Sequence, residues 1–405
     1  MSTNPGLRRP AAAFLFFFAT ALIAPIIPTY VVANFGAGGI GVGIAVAAMG
    51  LPGLLARPLA GRFVDRRGAS AGVAAGGAIG VIAFLGQALA PTLVVFAIFR
   101  TFIGLADGFV LVGAARGSDD GRRGRGSAYT RFAALFVAGT AIGPIVAVWI
   151  SDRWGQRTVF FVAAGCAVAG SMVLGEAAPR ARLGRDRNRR SAAPTLRTLL
   201  HGPVVIAGLA LGLANLGFGA IYGFAVLRGD ALGMGSPELL LSAFSATLIL
   251  GRVVGSSWPD RFGLARTTTS ATVLSAVGLV AAGLSPSAVT LTVALVAVGF
   301  GYAFIMPAVL AEAAAVAGDQ RSGAAVGTVM GLLDLVLTVG TVGLGVVAAQ
   351  LGQGAVFVIC GGVTLAALPL FGWWRLRSAP GEPGPAQPSP ATPPPPAPGR
   401  RSGRR

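Results

Sequence analysis

Residues 57–68 of this 405-residue chain read R-P-L-A-G-R-F-V-D-R-R-G, and residues 252–263 read R-V-V-G-S-S-W-P-D-R-F-G. Both stretches fit the pattern R-x7-D-R-x-G, and corresponding positions lie 195 residues apart. The same distance separates Gly104 from Gly299. One match could arise by chance, whereas a spacing shared by separate positions indicates that the chain contains two copies of one structural unit.

The composition places both copies in a lipid bilayer. Apolar residues make up 54% of the chain and charged residues only 11%, whereas a soluble protein carries about 25% charged residues. An ordinary soluble enzyme is therefore excluded. About 20 apolar residues span the hydrocarbon core of a bilayer. The sequence contains twelve such segments, called spans 1 to 12, at residues 11–33, 38–58, 70–90, 93–116, 128–150, 157–176, 203–227, 237–258, 268–285, 289–315, 323–349 and 354–374.

The spans divide into two groups of six around a basic segment. We predict an all-α integral membrane protein of twelve transmembrane helices in two pseudo-symmetric six-helix bundles. The predicted parts are a leader (1–10), an N-terminal bundle (11–176), a basic central loop (177–202), a C-terminal bundle (203–376) and a disordered tail rich in proline and arginine (377–405).

The placement of arginine predicts the orientation in the membrane. The chain has 32 arginines and no lysine, and seven of the arginines lie in the central loop. Cytoplasmic loops of membrane proteins are enriched in such residues, so the central loop and both termini are predicted to be cytoplasmic. Because the arginines lie between apolar spans, the net charge of +18 reflects membrane orientation, and no nucleic-acid partner is expected. The exclusive use of arginine favours a bacterial cytoplasmic membrane.

An even number of spans in each copy gives the two bundles the same topology. They are then related by an axis along the membrane normal, and a cleft forms between them. Rocking such bundles exposes a site at mid-membrane alternately to each side. The duplication therefore predicts a transporter.

Three motifs resemble those of the major facilitator superfamily. The first is G-R-F-V-D-R-R-G at residues 61–68, which is similar to the family's loop 2–3 signature. The second is the pattern of Arg100, Gly104, Ala106 and Gly108 in span 4. The third is G-T-A-I-G-P at residues 139–144 in span 5, which is similar to a motif of proton-driven exporters. The resemblance implies the family's twelve-helix fold and favours its branch of proton-coupled drug, metabolite or sugar efflux.

The resemblance also implies a charged latch at the cytoplasmic ends of the helices. Such a latch holds neighbouring helices together in one conformation and releases them in the other. The alternative is an ordinary basic loop, which explains the arginines but neither Asp65 nor the repeated spacing. The predicted cytoplasmic gate comprises Arg57, Gly61, Asp65, Arg66, Arg67, Gly68, Arg252, Asp260, Arg261 and Gly263.

Three charged residues fall inside spans, namely Arg100 and Asp107 in span 4 and Asp334 in span 11. A charge in hydrocarbon costs several kcal/mol, so each residue needs a wet cavity or a partner. Removal from water makes a carboxylate easier to protonate near neutral pH. We therefore predict that Asp107 or Asp334 carries the coupling proton and that Arg100 favours its release. A structural ion pair that does not titrate is the alternative.

Two further groups complete the predicted site. Gly139, Gly143 and Pro144 favour close packing and a bend in span 5, and the alternative for them is generic helix packing. Asn215, Tyr222 and Tyr302 lie on spans 7 and 10, which the resemblance places around the central cavity. They are candidate substrate contacts, with an interior hydrogen bond as the alternative for each.

The sequence favours a secondary transporter that exports a small organic molecule in exchange for protons. An importer of a sugar or organic acid is the first alternative, and a sensor or scaffold that has lost transport is the second. No catalytic residues, metal site or cofactor are expected, and the chain has no phosphate-binding loop for ATP. The expected partners are the substrate, protons and the bilayer, with the protein as a monomer.

Overall fold

The structure is a computed structural model that describes residues 5–117, 139, 142–175, 202–255, 257–317 and 322–378. Within these ranges every regular element is a helix. In chain order they are α1 (Pro5–Ile23), α2 (Ile26–Phe35), α3 (Gly39–Ala47), α4 (Gly50–Arg67), α5 (Ala69–Leu89), α6 (Leu93–Gly117), α7 (142–154), α8 (Gln156–Gly175), α9 (Gly202–Ala214), α10 (Gly217–Ala220), a π-helical turn (Ile221–Ala225), α11 (Val226–Ala231), α12 (Leu239–Val254), α13 (Trp258–Phe262), α14 (Leu264–Leu284), α15 (Ala288–Ala317), α16 (Ser322–Leu351) and α17 (Gln353–Ser378).

Most of the predicted spans are long apolar helices. Nine helices of the described chain have the length and composition to cross a membrane. The bent pair formed by α1 and α2, with 49° between its parts, makes a tenth. The bend lies at Pro25, which has no backbone N–H to continue the helix. Span 8 is the shorter apolar helix α12, and span 5 is described only from residue 142 and at Gly139, so twelve spans stays a prediction.

The helices of the two halves pack in the same pairs. In the N-terminal half, α1 contacts α8, α4 contacts α6, and α5 contacts both α6 and α8. In the C-terminal half the corresponding contacts join α9 with α17, α12 with α15, and α14 with α15 and α17. The second half therefore repeats the helix arrangement of the first.

The repeat extends to single atoms at two glycines. A methyl group on Gly104 would collide with the carbonyl oxygen of Met49. A methyl group on Gly299 would lie 2.5 Å from the carbonyl oxygen of Phe244. Met49 and Phe244 are themselves 195 residues apart. Both halves thus use a glycine at the same point to bring two helices into backbone contact.

The repeated charged stretches, which adjoin the ends of spans 2 and 8, are mostly helical. Residues 57–67 continue α4, and only Gly68 breaks the helix, with φ at 91°. Its counterpart Gly263 has φ at 83°. Only glycine adopts such angles without strain, which explains the glycine that ends each stretch. The second copy differs because α12 ends at Val254 and the short helix α13 follows.

The two halves meet along α3 and α4 on one side and α16 on the other. A methyl group on Gly39 would lie 2.7 Å from the carbonyl oxygen of Gly345, and the reverse distance is also 2.7 Å. Further along, a methyl group on Gly43 would lie 2.8 Å from the carbonyl oxygen of Thr341, and one on Gly50 would collide with the side chain of Thr338. Small residues therefore allow the halves to approach closely over several turns.

The outer boundaries of the predicted parts shift slightly. The first helix begins at Pro5, so the leader predicted at 1–10 is partly helical. Proline suits the first turn of a helix because the backbone N–H that it lacks has no partner there. The last helix ends at Ser378, two residues beyond the predicted bundle. Residues 176–201 of the basic central loop and residues 379–405 of the tail lie outside the described residues.

Candidate functional site

A cavity of about 320 Å³ lies between the two halves. Its walls come from spans 1, 2, 4 and 5 of the first half and from spans 7 and 11 of the second. Most lining residues are apolar or small, and the exceptions are few. The charged and polar lining residues are Thr20, Arg100, Asp107, Tyr222, Asp334, Thr338 and Thr341.

All three charged residues predicted inside spans line this cavity. Arg100 and Asp107 are seven residues apart on α6, about two helical turns. They therefore share a face of the helix and reach the cavity at two depths. Asp334 reaches it from α16 in the other half. All three charged side chains thus face the cavity, where they avoid the free-energy cost of contact with lipid.

Arg57 joins the halves through an ion pair. Its Nη1 lies 2.6 Å from Oδ2 of Asp334, and the two side chains are 27% and 20% exposed. Asp107 also lies near enough to feel the charges of Arg57 and Asp334. The assignment of Arg57 to the cytoplasmic gate stays a prediction. Arg57 lies more than two turns before Asp65 on α4, and its partner Asp334 lines the cavity.

Arg100 is almost completely buried, with 5% of its surface exposed. Its one hydrogen bond runs from Nη2 to the sulfur of Met49, at 3.2 Å. Its Nε and Nη1 have no hydrogen-bond partner among the described residues. A thioether is a weak acceptor, so most of the guanidinium is left without compensation.

Aromatic rings form the wall on the side of the second half. Phe218 and Tyr222 line the cavity, and their rings stack with centroids 6.3 Å apart. Behind them, Tyr302 stacks on Phe218 at 4.8 Å and Phe244 meets Phe218 edge-on at 5.4 Å. The cavity therefore has a charged side and an aromatic side.

Two of the three predicted substrate contacts lie away from the cavity. Tyr222 lines it. Tyr302 is 1% exposed and stacks on Phe218, which lines the cavity in its place. Asn215 is buried, and its side-chain amide donates to the carbonyl of Leu211 at 2.8 Å. Asn215 thus makes the interior hydrogen bond that was the alternative for it.

Span 7 is irregular where it borders the cavity. Helix α9 ends at Ala214, and the chain continues through a turn, the short α10 and a π-helical turn. The cavity residues Phe218 and Tyr222 belong to these last two elements. π-helical turns occur frequently at functional sites, and interrupted helices frame the binding sites of many transporters.

The glycines of span 5 pack against span 1. A methyl group on Gly143 would lie 2.6 Å from the Cβ of Ala21, and one on Gly139 would lie 3.5 Å from the Cα of Phe18. Pro144 lines the cavity. Because residues 140 and 141 lie outside the described residues, the predicted bend of this helix stays a prediction.

The remaining gate residues lie at the end of α4 and around α13. Asp65, Arg66 and Arg67 are exposed, and the guanidinium of Arg67 lies over the ring of Phe63 at 5.4 Å. Gly61 has open space around it. Arg252 is half-buried and Arg261 is exposed. The side chain of Asp260 lies outside the described residues, so the predicted latch is not complete in the structure.

Phe218, Thr338 and Thr341 line the cavity but were not among the predicted site residues. All three carry a recognisable signal, and Thr338 and Thr341 follow Asp334 at intervals of four and seven residues on the same helix face. Phe218 precedes Tyr222 by four residues and shares its face in the same way. The described residues contain no group of three histidine, cysteine, aspartate or glutamate side chains placed to hold a metal ion.

Comparisons with known proteins agree with the fold. The sequence profile of the Major Facilitator Superfamily matches residues 11–238 and 229–402. The chain is 24% identical to the uncharacterized MFS-type transporter YhhS of Escherichia coli strain K12, over 91% of each chain. It is 29% identical to an uncharacterized MFS-type transporter of Burkholderia pseudomallei, over 87% of this chain and 88% of that one.

Solved structures give the same result. The crystal structure of the nucleoside transporter NupG matches 92% of this chain and 99% of its own, with 14% identity and a TM-score of 0.73. That of a D-xylose-proton symporter matches 90% of this chain and 96% of its own, with 16% identity and a TM-score of 0.74. At such identities these matches concern the fold alone. The chain is a multi-pass membrane transporter, not an enzyme, and it belongs to the Major Facilitator Superfamily.

Proposed function

We propose that the protein is a proton-coupled secondary transporter that moves a small organic molecule by alternating access. The observation that carries this proposal is the cavity between the halves, on which Arg100, Asp107 and Asp334 converge. Charges inside a membrane are costly and usually serve ion or substrate pathways. A fold that had kept its shape but lost transport would gain nothing from this cost, which argues against a sensor or scaffold.

The ion pair between Arg57 and Asp334 supports a specific coupling step. It joins α4 of the first half to α16 of the second. Protonation of Asp334 removes its negative charge and so weakens the attraction to Arg57. Arg57 then interacts with Asp107 alone. A proton that enters the cavity thereby loosens one contact between the halves, which links proton binding to their movement.

The latch at the end of α4 is a second part of the proposal. We infer that Asp65, Arg66 and Arg67 hold the cytoplasmic helix ends together in one conformation, as the family resemblance implies. Gly68 supports this function because its positive φ lets α5 start directly beside α4. The contact would form and break as the halves rock.

The direction of transport rests on two opposing indications. The G-T-A-I-G-P motif in span 5 favours export. The charge distribution of the cavity, which suits an anion and a proton bound together, is compatible with import. Transport into inside-out vesicles, compared with transport into right-side-out vesicles, distinguishes the two directions.

The test of proton coupling is proton flux in proteoliposomes that contain the full chain and a pH-sensitive dye. A panel of small organic acids, amides and amines is added to the wild type to find compounds that drive flux. We expect flux with at least one compound and its loss in the double variant Asp107→Asn/Asp334→Asn.

The matched control is Asp152→Asn, since Asp152 is an exposed carboxylate outside the cavity. This variant should transport protons as the wild type does. Undiminished coupling in the double variant, while compounds still drive flux, would show that neither carboxylate carries the proton.

A further inference from the structure

Arg100 differs from the other three charged residues of the site in having no oppositely charged neighbour. Arg57 and Asp334 form an ion pair, and Asp107 interacts electrostatically with Arg57. No carboxylate of the described chain forms an ion pair with Arg100, and two of its three nitrogens lack a hydrogen-bond partner there. Burying a guanidinium without an acceptor is unfavourable, because the hydrogen bonds that it made to water are not replaced.

The position of Arg100 shows what could supply the missing acceptor. Arg100 lines the central cavity, so its unpartnered nitrogens are within reach of a molecule bound there. The planar guanidinium donates paired hydrogen bonds that match the two oxygens of a carboxylate. The aromatic rings of Phe218 and Tyr222 line the same space. Flat apolar groups pack well against aromatic rings, by stacking or edge-on.

We propose that the substrate is a small aromatic carboxylate, which Arg100 binds through the carboxylate while the ring rests on Phe218 and Tyr222. The proposal rests on the proposed function, because it takes the cavity to be the transport site. The volume of about 320 Å³ lies at the lower end of the range for ligand pockets, about 300–1,000 Å³. It therefore suits a molecule of one ring and a short side chain.

The charges also determine how the anion and the proton affect each other. The charged groups that act on Asp107 are Arg57 from α4 and Asp334 from α16. Tyr222 from the π-helical turn and Arg100, two turns away on the same helix, line the same cavity. With both carboxylates ionised the four charges cancel, and one bound proton makes their sum positive. An anion then binds more tightly to the protonated cavity. Proton and anion therefore travel in the same direction, which favours symport over exchange.

Binding to the detergent-solubilised full chain tests the proposal without a membrane gradient. The probes are benzoate and phenylacetate, each compared with its amide and with the amine of matching size. The measured quantities are the shift in thermal unfolding temperature and the dissociation constant. We expect the carboxylates to stabilise the wild type and the amides and amines to have no comparable effect.

Substitutions at Arg100 assign the effect to this residue. Arg100→Gln should weaken carboxylate binding at least about tenfold, as expected for the loss of a charged hydrogen-bond pair. Arg100→Lys keeps the charge and should retain part of the affinity, which also guards against a folding defect in the glutamine variant. The control Arg153→Gln removes an arginine that stacks on Trp149 outside the cavity, and it should bind as the wild type does.

The remaining outcomes contradict the proposal. It is overturned if no carboxylate stabilises the wild type, if amides or amines bind equally well, or if Arg100→Gln binds carboxylates as tightly as Arg153→Gln. The charge argument is overturned if binding does not strengthen at lower pH, over a range in which the ligand itself stays ionised. Carboxylate binding without any proton flux in proteoliposomes would instead contradict the proposed function and leave the anion site intact.

Discussion

The two halves of the protein share their packing but differ in the chemistry that they present to the cavity. Gly104 and Gly299 make the same close backbone contact, 195 residues apart. At the same spacing, Arg100 and Asp107 of the first half correspond to Leu295 and Tyr302 of the second. Backbone contacts between helices tolerate no added atoms, which explains the shared glycines. Arg100 and Asp107 line the cavity, whereas Leu295 and Tyr302 are buried away from it.

This divergence gives the halves different tasks. The first half contributes the charged side chains of Arg57, Arg100 and Asp107. The second half contributes the rings of Phe218 and Tyr222, together with the single carboxylate of Asp334. A substrate in the cavity would touch both halves at once, and this is the condition for coupling its binding to their relative movement.

The largest expected effect comes from filling the shared packing contact. Gly104→Leu and Gly299→Leu both place a side chain against a backbone carbonyl, so each should destabilise its bundle by about 3 kcal/mol or more. Thermal unfolding and the yield of monodisperse protein measure the loss. Gly165→Leu and Gly362→Leu are matched controls, because both glycines are exposed and have open space. If either packing variant behaved like its control, the halves would not share this contact.

The second prediction compares an ion pair that joins the two halves with an ion pair that lies within one half. Arg57→Asp removes the pair with Asp334, and the exchange Arg57→Asp/Asp334→Arg should restore part of the loss. Because both side chains are partly exposed, we expect a stability change of about 1–2 kcal/mol.

The control for this prediction is the pair between Arg375 and Glu312, in which two hydrogen bonds of 2.8 and 3.0 Å join α17 to α15. Its side chains are each 20% exposed, so reversing its charges should cost similar stability. Only the pair between the halves should change proton flux. Equal effects on flux from both pairs would remove the special role of Arg57.

A smaller effect is expected on the aromatic side of the cavity. Phe218→Leu keeps an apolar side chain but removes the ring face, and it should weaken binding of an aromatic carboxylate by about 0.5–1.5 kcal/mol. Proton coupling should persist. Phe244→Leu is the control, because Phe244 packs behind Phe218 without lining the cavity. A greater loss of affinity in the control would place the ligand elsewhere.

The smallest effect concerns two arginines, one in each half, whose side chains donate a hydrogen bond to a backbone carbonyl at the end of another helix. Arg157 donates to the carbonyl of Ala88 at 2.6 Å, and Arg228 donates to that of Ser285 at 3.0 Å. Arg157 is exposed and Arg228 is half-buried. Replacement by glutamine should therefore cost about 0.5 kcal/mol at Arg157 and about 1 kcal/mol at Arg228. Thermal unfolding measures both, and the reverse order would contradict the role of burial.

The sequence allowed the family, the membrane fold and the charged residues of the cavity to be predicted. Each of these follows from a pattern that can be recognised along the sequence without knowing which segments are in contact. Apolar length identifies a span, a constant spacing reveals a repeat, and a charge within hydrocarbon requires a wet or paired position. Arg100, Asp107 and Asp334 could be singled out for this reason before their neighbours were known.

Contacts between distant segments could not be predicted in the same way. The partner of Asp334 is Arg57, 277 residues earlier, and no local pattern connects them. Tyr302 was expected at the cavity because span 10 borders it in the family, yet Phe218 lines the cavity in its place. Which face of a helix meets a cavity depends on all its neighbours, and a single sequence does not fix that orientation.

Distances between spin labels on the two faces of the membrane test alternating access most directly. Thr92 and Ser287 are exposed and 195 residues apart, and exposed Arg62 and half-buried Ser257 form a second pair at the same spacing on the predicted cytoplasmic side. Labels are attached to cysteines at each pair after Cys166 and Cys360 have been replaced by alanine. On lowering the pH or adding an aromatic carboxylate, one distance should lengthen while the other shortens. Two distances that stay constant, or that change together, would contradict a transporter in which the halves rock around the cavity.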